Sequence, residues 1–202
     1  MNGNDWVWAN HPRPGRLVVA QEDDKTLRFT DAEMRETLIV HLGEVPQDLT
    51  VDIYKSEVGE PARLVRSLSC DPMQRYRRGN GVSLRDVWHI VKKSHCSGLR
   101  LGLTVHASFF SSTPHTFELA PERGFEEVFY FMIDDNAKVL LEGAGLWADG
   151  EPVDDAWPVV GGQFAQIPMG YHRVAVLPGF SAQAPRVSYV WCYICTKEEW
   201  EK

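Results

Sequence analysis

Short apolar or alternating runs recur along the chain. They include RLVVA (16–20), ETLIVHL (36–42), LTVDIY (49–54), DVWHIV (86–91), LRLGLTVHA (99–107) and EVFYFMI (127–133). They continue with AKVLLE (137–142), GQFAQIP (162–168), HRVAVLP (172–178) and SYVWCYIC (188–195). Val, Ile, Phe, Tyr and Trp fill these runs, and Gly, Pro, Asp and Asn separate them. Strands of this length with turn residues between them predict an antiparallel sandwich or barrel. Helical signals are few. FTDAEMRETL (29–38) predicts one or two turns, and TKEEWEK (196–202) a terminal turn. The polar, basic stretch CDPMQRYRRGNGVSLRD (70–86) reads as a long connection, which puts a division of the chain near residue 85.

The 202 residues suffice for one good core. Hydrophobic content of 44% and charged content of 24% are those of an ordinary globular protein. A net charge of -7 argues against a general nucleic-acid binder, which needs a basic face, and suits a small-molecule ligand. Cys70, Cys96, Cys192 and Cys195 do not have the spacing of a disulfide framework. The first residues lack a basic start followed by an apolar core, and no run approaches the length of a membrane span. The expectation is a cytoplasmic protein that contacts neither membrane nor nucleic acid.

Strand alternation singles out the residues that carry chemistry. In EVFYFMI, Glu127 shares a face with Phe129, Phe131 and Ile133, while Val128, Tyr130 and Met132 share the other. A carboxylate on a core-facing side needs a partner, a hydrogen bond or a metal. The bland alternative is a partly wet Glu at the mouth of a strand. In IPMGYHRVAVLPGF (167–180), Pro168 and Gly170 make a tight entry to a strand opened by His172. In PHTFE, His115 and Phe117 share a face if the segment is extended. Two His and a carboxylate suit a first-row metal and leave positions open for a substrate. The CYIC spacing of Cys192 and Cys195 places them on opposite faces of a strand, so core packing is the expected role of both. VVGGQ has no helix after it and reads as a turn.

Taken in order, SSTPHTFE, FEEVFYFMI, IPMGYHRVAVLPGF and YVWCYI resemble the C-terminal cupin of the bicupin sugar-acid isomerases. These are 5-deoxy-glucuronate isomerase and 4-deoxy-L-threo-5-hexosulose-uronate ketol-isomerase. RGNGVSLRDVWHIV resembles the connection before that cupin. The resemblance covers residues 75–195. It implies an all-β cupin fold (double-stranded β-helix, or jelly roll) over 85–202. A shortened, degenerate N-terminal β portion and its connection would occupy 1–84. It also implies a divalent metal (Zn, Mn, Fe or Ni) held by His115, Glu127 and His172. The family's second histidine falls on Phe117, which cannot ligate a metal, and LAPERG lengthens the spacing from His115 to Glu127.

The expected function is that of a metal-dependent isomerase acting on a small polar, carbohydrate-like metabolite. The metal would act as a Lewis acid and a base would move a proton between adjacent carbons. Glu127, Tyr130 and Tyr171 are the candidate catalytic residues, and Trp147 and Glu142 are further neighbours to consider as the base. The alternatives are an iron-dependent oxygenase or epimerase of specialised metabolism, and a metal-free binding cupin in which Phe117 marks the decay of the site. Exposed sheet edges favour pairing, and a homodimer is expected.

Overall fold

The N-terminal runs fold as an antiparallel meander. Strands β1 (Leu17–Asp23), β2 (Thr26–Asp31), β3 (Glu36–His41), β4 (Thr50–Lys55) and β5 (Arg63–Ser69) lie side by side in chain order. Alternation gives this sheet one buried face, carrying Leu27, Phe29, Leu38, Val40, Val51 and Ile53. The computed structural model describes residues 15–106, 115–116, 126–134, 137–147, 149–177 and 186–194. The expected helical turn at 29–38 is instead the β2–β3 hairpin, with Asp31 paired to Glu36 across it. The Asp31 carboxylate accepts hydrogen bonds from the backbone N–H groups of Glu33 and Met34, and Arg35 sits at φ 54. A short side chain that bonds its own backbone favours a turn over a helix. The expected turn at 196–202 lies outside the described residues.

A second sheet has the order β13 (Phe164–Ile167), β10 (Glu126–Ile133), β15 (Val187–Ile194), β8 (Leu99–His106), β7 (Arg85–Val91) and β6 (Tyr76–Arg78). A third has the order β12 (Pro152–Val159), β11 (Lys138–Leu146), β14 (Met169–Leu177) and β9 (His115–Thr116). Strand β6 precedes residue 85, yet it belongs to the second sheet through its pairing with β7. Strands β2, β6 and β12 carry no strong apolar run. β12 (PVDDAWPV) is an edge strand whose prolines and aspartates are mostly exposed, as edges require.

Two cores divide the faces of the middle sheet. Val128, Tyr130, Val190, Cys192, Leu99, Leu101 and Leu103 pack with Phe29, Leu38 and Ile53 of the first sheet. Phe129, Phe131, Tyr189 and Trp191 pack with Leu141, Val174 and Val176 of the third. The described residues thus form three β layers, and the second and third enclose the barrel interior. Cys192 is a core residue of the first interface, as its strand position predicts, and Cys195 lies outside the described residues. Among the described residues, no helix is long and apolar enough to cross a membrane.

Buried carboxylates fasten the first layer to the second. Glu126 accepts hydrogen bonds from the Arg16 and Leu17 backbone N–H groups, both at 2.7 Å. Glu36 accepts from the Ser97 and Gly98 N–H groups at 2.8 and 3.0 Å and pairs with Lys55 at 3.0 Å. Within the first layer, Asp31 receives the guanidinium of Arg16 in a two-bond fork, at 2.8 and 2.7 Å.

Candidate functional site

Glu126 and Glu127 are successive, so the pleat sends them to opposite sides of β10. Glu126 meets the first sheet. Glu127 enters the barrel on the face of Phe129 and Phe131 and is 3% exposed. Burial pushes its carboxyl well above the usual carboxylate range. Its Oε2 is buried and, among the described residues, has no hydrogen-bond partner. A carboxyl carried into an apolar interior without a partner is costly, and a fold rarely retains one without use for it.

The third sheet brings His172 into the same interior. On β14 it shares a face with Val174 and Val176, is 1% exposed, and lies edge-on to Phe129 with ring centroids 5.6 Å apart. Two glycines make room at this end. Gly145 and Gly170 pair directly at φ 147 and 127, and a Cβ on Gly145 would stand 1.9 Å from the Met169 carbonyl oxygen. Strand β9 pairs with β14 in the register that sets His115 opposite His172. The two backbones are therefore neighbours, as the expected ligand set needs. Phe117 lies outside the described residues. Among the described residues, no group of three or more His, Cys, Asp and Glu side chains forms a metal cluster.

The expected base candidates are scattered. Tyr130 is on the opposite face of β10 from Glu127, in the core shared with the first sheet. Tyr171 and Glu142 occupy the alternate positions of β14 and β11, facing away from the interior, and Glu142 pairs with Arg173 on that side at 2.5 Å. Trp147 is buried and packs near Trp157. Strand parity at Tyr130 was legible in the sequence. The outward placement of Tyr171 and Glu142 follows from where β14 and β11 pair.

Residues not singled out in the sequence reach the interior face of the second sheet. Trp191 donates its indole N–H to Thr104 Oγ1 at 3.2 Å. It touches His89 edge-on at 4.9 Å and stacks with Tyr193 at 5.7 Å. His89 also contacts Tyr76 at 5.3 Å. Burial, with Lys92 and Arg78 nearby, holds the His89 pKa down at about 4, so this imidazole is neutral at pH 7. Burial pushes the Tyr189 hydroxyl up to about 12, and its ring stacks on Phe129 at 4.5 Å. Arg100 is 5% exposed on the same face. The signal for these positions was the parity of LRLGLTVHA, in which Arg100, Gly102, Thr104 and His106 alternate with leucines.

A separate cleft of about 510 Å³ opens at the other end of β10, between the first and second sheets. Its walls include Lys25, Leu42, Tyr130, Met132 and Arg186. Glu127 and His172 are not among its lining residues.

No curated protein matches the chain. Several solved structures resemble it distantly. A predicted oxalate decarboxylase from Thermotoga maritima is 15% identical, with TM-score 0.40 over 60% of this chain and 92% of that one. The EutQ protein of Clostridium difficile is 13% identical, with TM-score 0.39 over 63% and 80%. The cupin domain of Schizosaccharomyces pombe Cnp3 is 8% identical, with TM-score 0.40 over 71% and 87%. Likeness at this level carries nothing about activity or ligand. The model of the KduI/IolB family, the 5-deoxy-glucuronate isomerase family of cupin fold, matches residues 46–185. This span runs from β4 to β14 and so covers the third layer and all of the middle layer except β15, and the chain belongs to the KduI/IolB family.

Proposed function

We propose that the protein is a metal-dependent cupin enzyme, an aldose-ketose isomerase of a small polar, carbohydrate-like metabolite. The observation that carries this reading is Glu127, a buried carboxyl inside the barrel whose Oε2 has no hydrogen-bond partner. A divalent cation supplies what that oxygen lacks. Carboxylate and imidazole together form a donor set suited to Zn, Mn, Fe or Ni. Glu127 and His172 would hold the ion, with His115 as the third ligand on the strand paired with β14. When bound, the metal would act as a Lewis acid on a substrate carbonyl and hydroxyl.

The chain's own residues support the same reading. Phe129, Phe131 and Tyr189 wall off one side of Glu127 and His172, which excludes water there and strengthens local electrostatics. His89, neutral and half-buried on the same barrel face, stands three strands from β10. Proton transfer between adjacent carbons would pass through an enediol.

The test is isomerisation of sugar acids by purified protein, before and after chelation. Activity that falls at least about tenfold on chelation and returns with one metal supports the reading. Full activity in the chelated protein removes it. A second reading is a metal-free binding cupin. The stacked packing of Phe129 on Tyr189 beside His172 favours it, because aromatic filling leaves less room for substrate. That reading requires His172→Ala and Glu127→Gln to leave cellular function intact.

A further inference from the structure

Glu126 opens β10, and Glu127 follows it directly. At Glu126 the strand is paired on one side only, among the described residues. It pairs with Ile194 of β15, whereas the pairing with β13 starts one residue later, between Glu127 and Ile167. Strand ends open more readily than strand middles. Glu127 therefore stands where its strand alone holds it least firmly.

Glu126 supplies a further hold from the other face of the sheet. Its Oε1 and Oε2 accept from the successive N–H groups of Arg16 and Leu17, both at 2.7 Å. The backbone comes close to this carboxylate, and a Cβ on Gly15 would stand 2.3 Å from Oε2. The Arg16 side chain fixes the same stretch of backbone in turn. Its guanidinium forks onto Asp31 and meets Glu33 at 2.9 Å. A chain of contacts thus runs from the β2–β3 hairpin through Arg16 to Glu126. Glu126 and Glu127 share one planar peptide unit, and the pleat turns their side chains to opposite faces. A grip on the first side chain stops the strand from rolling about its axis. It thereby fixes the direction in which the second one points.

We propose that Glu126 is a positioning residue for the metal centre, through which the first layer, outside the barrel, sets metal affinity. This rests on the metal reading of Glu127 and His172. Ligands work only when held to within about 0.5 Å, and loss of a group that orients a ligand costs about 10–100-fold in affinity. Glu36 provides the comparison. It joins the same two layers by the same chemistry, through the Ser97 and Gly98 N–H groups, but it grips the β7–β8 connection rather than β10.

The test measures Zn(II) and Mn(II) affinities of the full chain by competition with a chromophoric chelator, for wild type, Glu126→Ala and Glu36→Ala. Both variants should lower the melting temperature. Glu126→Ala should lose at least about tenfold in metal affinity, and Glu36→Ala should stay within about twofold of wild type. Equal losses in the two variants would make Glu126 a general staple and overturn the proposal. So would a Glu126→Ala protein that binds metal as wild type does. If Glu126→Ala fails to fold, Glu126→Gln decides the matter. It keeps one acceptor oxygen and should lose about threefold or more, and unchanged affinity overturns the proposal. Hydrogen–deuterium exchange of residues 126–133 in metal-free protein gives a second readout. Exchange should quicken in the Glu126 variant and not in Glu36→Ala. Wild type that retains neither ion overturns the metal reading, and exchange then judges the grip by itself. Faster exchange confined to the Glu126 variant upholds the hold on Glu127, and unchanged exchange removes it.

Discussion

At the scale of single residues, alternation along a strand separates structural carboxylates from the candidate functional one. Glu126, Glu36 and Asp31 are buried, and each is met by backbone N–H groups or a cation. Glu127 is as deeply buried, yet its Oε2 has no such partner. The paired acids make stability depend on pH. At Glu36, burial alone would raise the pKa, but the Ser97 and Gly98 N–H groups and Lys55 outweigh it. The carboxyl is held below its ordinary 4.5. A depressed folded-state value means that its stabilisation is complete above about 4.5 and is lost as pH falls through the folded value. Glu36→Gln should therefore cost about 1–3 kcal/mol at pH 7, and the gap to wild type should shrink as pH drops below about 4.5. Urea unfolding of both proteins at pH 7 and pH 4 measures it. A gap that widens at pH 4 would refute this account of Glu36.

At the scale of strands and turns, the strongly apolar segments were legible because a half-buried strand must alternate. EVFYFMI, LRLGLTVHA and SYVWCYIC each became a central strand of the middle sheet. What alternation could not reveal was that both sides of that sheet are covered. Val128 and Tyr130 look like an outer face in the sequence, but the first sheet buries them. Tyr130 lies in that core, on the opposite side of β10 from Glu127. Strand β12 matches none of the apolar runs because an exposed edge needs none. Gly102 gives this scale its prediction. A Cβ there would lie 2.1 Å from the Trp191 ring and 2.2 Å from the Trp88 carbonyl oxygen. Gly102→Ala should destabilise by about 1–3 kcal/mol and break the Trp191–Thr104 bond. Chemical denaturation monitored by tryptophan fluorescence reads both effects. Wild-type stability would mean that Trp191 moves aside freely.

At the scale of the whole molecule, three layers give the middle sheet two different tasks. One side is a plain core stapled to the N-terminal sheet by Glu126, Glu36 and Arg16. The other lines the barrel, with Glu127 on it and His172 facing it from the third sheet. The sequence resemblance and the family match agree on this half of the molecule. The first layer is a five-stranded meander in which β1 to β5 pair in chain order. The ligand set was readable only in part. Glu127 and His172 stand out by parity, and His115 becomes credible as their companion through the β9–β14 pairing. The central claim is that the buried carboxyl of Glu127, whose Oε2 meets no hydrogen-bond donor among the described residues, holds a metal. Elemental analysis of purified wild type, Glu127→Gln and His172→Ala, each loaded with divalent metal and dialysed, tests it most directly. The account predicts about one ion per wild-type chain and a loss of at least about tenfold in affinity for each variant. Wild-type protein that retains no ion, or variants that bind as wild type does, would contradict it.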